Sequence, residues 1–217
     1  MSAASARDAA ENKSGGSTME VKDPTPERLA AFSDGVIAVI ITIMVLELKP
    51  PHDASFAALR ELWPTFLSYA ISYILVGVVW VNHHHLLRYV ERARPSIIWT
   101  NLLFLFFVSL IPFLTAFLAE NRLNSFTTAL YALEFVLITI SLHFLQGIAV
   151  SDFGDDPKLR AMARTIKRRN RWALVLYTLA VPAAYIHPYL AFALIFGPTL
   201  LYFVPDAVET VPKRDTA

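Results

Sequence analysis

Only a few side chains in this apolar sequence could do chemistry, and they fall into three groups. Arg28, Ser33 and Asp34 sit at the edge of the first long apolar run. Asn82-His83-His84-His85 closes the second run, just after Trp80. Glu134 lies inside the fourth, with His143 nine residues on. A charge inside such a run costs about 3 kcal/mol unless it is paired or hydrated. The first group therefore has two readings. Either Arg28 is an interfacial anchor and Asp34 a helix-start residue, or the group is an intramembrane polar site. Three histidines in a row suggest a metal, because imidazole is the commonest metal ligand. Successive helical residues point about 100° apart, however, so three cannot converge on one ion. No second His follows at the i+4 spacing of helical zinc pairs. Hydrogen bonding within a polar layer is the better reading, and no metal is expected. Glu134 is placed near mid-membrane, as a structural carboxyl or as a proton relay. His143 falls about 180° round the helix from it, on another face. With no cysteine, and no serine or lysine in a nucleophile arrangement, no catalytic residue and no cofactor are expected.

The elements that position these groups follow from composition. Of 217 residues, 55% are hydrophobic and 17% charged. Soluble domains carry about 25% charged residues. The expected class is an all-α integral membrane protein. Residues 1–25 are polar, lack the apolar core of a signal peptide, and read as a disordered cytoplasmic tail. Residues 206–217 read as a second tail. Between them, 26–205 form a transmembrane domain with six apolar spans, at about 29–48, 62–87, 97–118, 126–150, 170–186 and 189–204. Pro112 is expected to kink the third. The last two are split at Ile186-His187-Pro188, because one helix from Trp172 to Val204 would run about 50 Å, beyond a hydrocarbon core of about 30 Å.

Charge sets the orientation. With both termini inside, the inner segments hold sixteen of the nineteen Lys and Arg; only Lys49, Arg60 and Arg122 lie outside. The positive-inside rule gives N-in and C-in. The cluster from Lys158 to Arg171 abuts a span, so topology and contact with anionic lipid explain it, and no nucleic-acid partner is expected. Arg28–Asp34 and Trp80–His85 then share one cytoplasmic layer, where carboxylate, asparagine and imidazoles can satisfy one another. Asn101 and Ser109 are expected to bond between helices.

On a helical wheel, Gly35, Val39, Thr42, Ile43 and Leu46 fall within about 60° of Val39. Phe32 and Arg28 fall near the same stripe, and Asp34 points about 140° away. Such a stripe is helix packing or, if several copies surround an axis, a set of apolar rings with a threonine ring beside them. Apolar constrictions gate by dewetting. No Thr-Val-Gly-Tyr-Gly carbonyl filter is present, so any ion selectivity comes from side chains.

Arg28-x-x-x-Phe32-Ser33-Asp34, with the apolar span that ends Leu46-Glu-Leu-Lys-Pro50, resembles the signature of the transmembrane protein 175 family of potassium channels. Trp80-x-x-His83-His84 resembles that family's second recurring element. The likeness covers about residues 26–205 and one family repeat, as in prokaryotic members. It implies a homotetramer in a prokaryotic cell membrane, with membrane lipid and permeant monovalent cations, K+ above all, as partners. It implies a pore lined by the first helix, with gate rings at Val39, Ile43 and Leu46 and a selectivity ring at Thr42. Val39 is smaller than the family's usual Ile or Leu, which implies a looser gate or a constriction shifted to Ile43. Arg28, Phe32, Ser33 and Asp34 would be a structural brace to the second span through Trp80, Asn82, His83 or His84. The alternative is a small proton-coupled secondary transporter using Glu134 and the histidine layer; a third reading is a membrane enzyme with a histidine metal site.

Overall fold

The computed structural model describes residues 25–150 and 157–200, and all regular structure among them is α-helical. The expected tails, the end of the sixth span at 201–204 and the acidic stretch around Asp152–Asp156 lie outside the described residues, apart from Thr25.

Helix α1 runs Pro26–Leu46. Pro26 suits its first turn, where a missing N–H costs nothing. The helix closes with the Glu47 amide on the Met44 and Val45 carbonyls, and Lys49-Pro50-Pro51 prevents continuation. A short helix that the apolar pattern does not announce, α2 (Phe56–Glu61), follows, its N-cap Ser55 accepting from the Ala58 amide at 3.2 Å. Next come α3 (Trp63–Leu87), α4 (Pro95–Glu120) and α5 (Ser125–Val150). Helix α4 runs through Pro112.

The α4–α5 corner is a Schellman turn. The Arg122 amide bonds the Ala119 carbonyl at 3.1 Å and the Leu123 amide bonds Leu118 at 3.0 Å. Arg122 and Leu123 take φ of 49° and 59°, where glycine is the usual occupant. Buried Leu123 anchors the turn.

Helix α6 (Pro157–Ile186) is longer than the apolar span from 170, because its basic first half continues the helix. It ends at Ile186, before His187, whose successor Pro188 disfavours a helical conformation there. Helix α7 (Pro188–Leu200) starts at once.

Helices α1, α3, α4 and α5 are long and apolar enough to cross a membrane; α7 is apolar but shorter. Helix α5 is the hub and packs on α3, α4, α6 and α7. At its centre Ser72 of α3 hydrogen-bonds both Thr115 of α4 and Tyr131 of α5, each at 2.7 Å. Among the described residues, helix α1 is peripheral and packs on α3 and α4 alone. Half of the apolar window of α4 or α5 is buried, against 28% for α1 and 22% for α3.

Candidate functional site

Helix α1 has two unlike faces. Leu29, Ser33, Ile37, Ile40 and Met44 recur every three or four residues and are buried against α3 and α4. The opposite face, with Phe32, Val39, Ile43 and Leu46, is apolar yet uncovered. Between this face and α4 runs an open groove of about 1010 Å³, lined by Phe32, Gly35, Val39 and Ile43 on α1 and by Pro112, Phe113 and Phe117 on α4. Glu47 and Glu120 stand at the lip of the groove, at the C-terminal ends of α1 and α4. A methyl added at Gly35 would meet nothing within 4 Å. Thr42 is exposed on the same side, and its hydroxyl donates to the Val39 carbonyl at 2.9 Å.

The N-terminal third of α1 is tied by side chains. Asn101 of α4, fully buried, is the hub. Its Nδ2 donates to Ser33 Oγ at 2.9 Å, and Ser33 Oγ donates to the Leu29 carbonyl at 2.8 Å. Its Oδ1 lies 2.6 Å from His83 Nε2. An amide oxygen only accepts, so His83 carries its proton on Nε2. Three helices are thus joined by one run of donors, from His83 through Asn101 and Ser33 to a backbone carbonyl. The His83 ring lies flat on Phe104, 4.8 Å away and within 2° of parallel. Nearer the surface, Trp80 Nε1 donates to Asp34 Oδ1 at 2.8 Å, and His84 Nδ1 lies 3.7 Å from Asp34 Oδ2. The Trp80 and His84 rings are 5.3 Å apart.

Of the eight residues expected in a brace, Ser33, Asp34, Trp80, His83 and His84 meet across helices. The other three do not meet them within one chain. Asn82 donates to its own helix at the Val78 carbonyl, 3.0 Å. Phe32 lines the groove. Arg28 is exposed, and its guanidinium has no hydrogen bond or ion pair among the described residues. Both lie on the stripe where the wheel placed them. Sequence reasoning named Asn101 only as an interhelical bonder. Its part as hub rests on partners 18 and 68 residues away, which one sequence does not reveal. Ser109 bonds its own helix instead, at the Phe106 carbonyl.

The histidines do not converge, and no group of three His, Cys, Asp or Glu fit for a metal is found among the described residues. Glu134 is buried and its Oε1 has no hydrogen-bond partner. It stands apart from the histidine layer. Ser72 and Tyr131 are level, since they hydrogen-bond. His83 lies about 16 Å further along α3, and Glu134 only about 4.5 Å further along the parallel α5. About 12 Å of depth therefore separates the two groups.

A relative from Chryseobacterium sp. (strain P1-3), named as a potassium channel, is 36% identical over 182 residues, spanning 84% of this chain and 94% of the relative. A family model described as endosomal/lysosomal potassium channel TMEM175 matches residues 28–112. The chain belongs to the TMEM175 family. A second relative, from Streptomyces collinus and also named as a potassium channel, is 32% identical over 200 residues, 88% of this chain and 96% of its own. The crystal structure of a TMEM175 homolog from Chamaesiphon minutus, described as potassium-selective, superposes with a TM-score of 0.74 at 30% identity. That match covers 82% of this chain and 96% of the other. The TMEM175 model match takes in α1, α3 and most of α4, the three helices that the Asn101 and Asp34 bonds tie together.

Proposed function

We propose that this chain is one subunit of a potassium-permeable channel in the cell membrane of a prokaryote, and that α1 from four copies lines its pore. The observation that carries the reading is the two-faced α1. One side is buried in its own bundle, and the other presents Val39, Ile43 and Leu46 without a cover. The relatives named as potassium channels support the choice of ion. In this arrangement α6 and α7 cross the membrane as short spans, giving six crossings with both termini inside. Around a four-fold axis, Val39, Ile43 and Leu46 form stacked apolar rings. A narrow apolar ring sheds water, so an ion passes only by losing much of its hydration shell. Potassium loses that shell at lower cost than sodium, which favours it. Val39 is small, so Ile43 forms the tighter ring. Thr42 supplies the polar ring beside them. Ser33 and Asp34 hold the inner third of α1 to α3 and α4 and set the pore radius without touching ions. Arg28 and Phe32 flank the inner mouth.

What weighs against the transporter reading is the depth gap of about 12 Å between Glu134 and the histidines. A direct test is potassium against sodium flux from purified protein in liposomes, with the oligomeric mass measured alongside. Val39→Asn and Ile43→Asn should each raise leak and blur the preference. Unchanged flux in both variants would sink the pore-helix assignment.

A further inference from the structure

We propose that the outer face of α6 is a binding site for an anionic phospholipid of the inner leaflet. The proposal rests on the membrane reading but not on potassium permeation. Arg164, Arg168, Arg171, Trp172, Val175 and Leu179 are all exposed. On the wheel they fall within about 60° of Arg168, so they form one stripe. The opposite face, with Ala173, Tyr177, Ala180 and Ala184, is buried in the bundle. Ile186, 78% exposed, ends the stripe about 27 Å from Arg168, close to the thickness of a hydrocarbon core.

The order along the stripe is that of a phospholipid. Three guanidiniums come first, one helical turn apart over about 10 Å of helix, and their long side chains snorkel toward the depth of the phosphate. An arginine fork matches phosphate oxygens in pairs. The Trp172 indole follows, suited to the glycerol and ester level. Val175 and Leu179 then line the path of an acyl chain. No Asp or Glu occurs anywhere in α6, so nothing on the helix offsets the cationic end. Half-buried Lys167 points about 100° away from Arg168 and is not part of the stripe. The same run of charge that orients the chain is therefore built, on one face, as a receptor for a negative headgroup.

The test uses the full chain in phosphatidylcholine vesicles doped with brominated phosphatidylglycerol or brominated phosphatidylcholine. Tryptophan quenching is read, and Trp172→Phe isolates the Trp172 component. Brominated phosphatidylglycerol should quench that component at a several-fold lower mole fraction than brominated phosphatidylcholine. Removing an arginine should weaken the preference roughly fivefold. R168Q/R171Q should therefore abolish most of it while leaving quenching by the zwitterionic lipid intact. R168K/R171K, which keeps charge but loses the fork, should fall between. Equal quenching by both lipids overturns the proposal, and that comparison needs no arginine variant. So does an equal loss in R88Q/R92Q, exposed arginines elsewhere on the inner side, because the attraction would then be diffuse. Displacement by millimolar inorganic phosphate would also overturn it, in favour of a soluble-anion site.

Discussion

Ser33 is completely buried and bonded to α4, while Val39, six residues on, leaves 54% of its surface uncovered. The two residues belong to one helix and sit in opposite regimes. The N-terminal third of α1 is held by directional bonds to two neighbouring helices. Among the described residues, the remaining two-thirds are held on one side, by Ile37, Ile40 and Met44. In a membrane, apolar contact gains little over lipid, so polar bonds and close packing fix helix positions. The polar end therefore sets where α1 stands, and the bare stripe is free to face whatever lies beyond the chain.

The contrast can be broken most sharply at Asn101. Asn101→Leu removes both interhelical bonds and strands the buried His83 Nε2–H. It should destabilise the protein by about 3 kcal/mol, read as a fall in melting temperature in detergent. A loss under about 1 kcal/mol would mean that the hub does not hold α1. Asp34→Ala should cost less, about 1–2 kcal/mol, because the carboxylate is half-exposed and the Trp80 bond is the main loss. Asp34→Asn keeps an acceptor for Trp80 and should recover most of that. If both variants melt alike, the charge facing His84 matters more than the Trp80 bond. Arg122→Gly probes a region remote from both ends of the comparison. It relieves a left-handed residue and should stabilise by about 1 kcal/mol with flux unchanged. On the stripe, Val39→Asn and Ile43→Asn should change stability least, by about 0.5 kcal/mol or less, while altering flux. Were this face against lipid, an asparagine there would cost about 1–3 kcal/mol as an unpaired polar group.

Much of this architecture was legible in the sequence, for physical reasons. Apolar runs bounded by proline and charge mark the membrane helices, since backbone groups in hydrocarbon leave few other solutions. The shared layer of Asp34 and Trp80–His84 followed from span direction and rise per residue. The wheel set Arg28 and Phe32 on the bare stripe; within one chain Phe32 lines the groove, Arg28 is exposed, and neither joins the bonded face. What was not legible depends on packing. Asn101 looks like any polar residue in a span until α1 and α3 are seen to close around it. The helical continuation of α6 through its basic half lies outside the apolar runs by which spans are counted; its signature is amphipathic, with Leu159, Met162, Ala163 and Ile166 recurring every three or four residues.

The central claim is that the bare stripe of α1 faces a pore. The chain has no cysteine, so single cysteines report without background. The most direct measurement is potassium flux from liposomes carrying Ile43→Cys, before and after a cationic, water-soluble thiol reagent. If the stripe lines the pore, modification stops most of the flux, and Phe144→Cys, on an exposed part of α5, shows no effect. Full modification of Ile43→Cys with flux unchanged would contradict the claim.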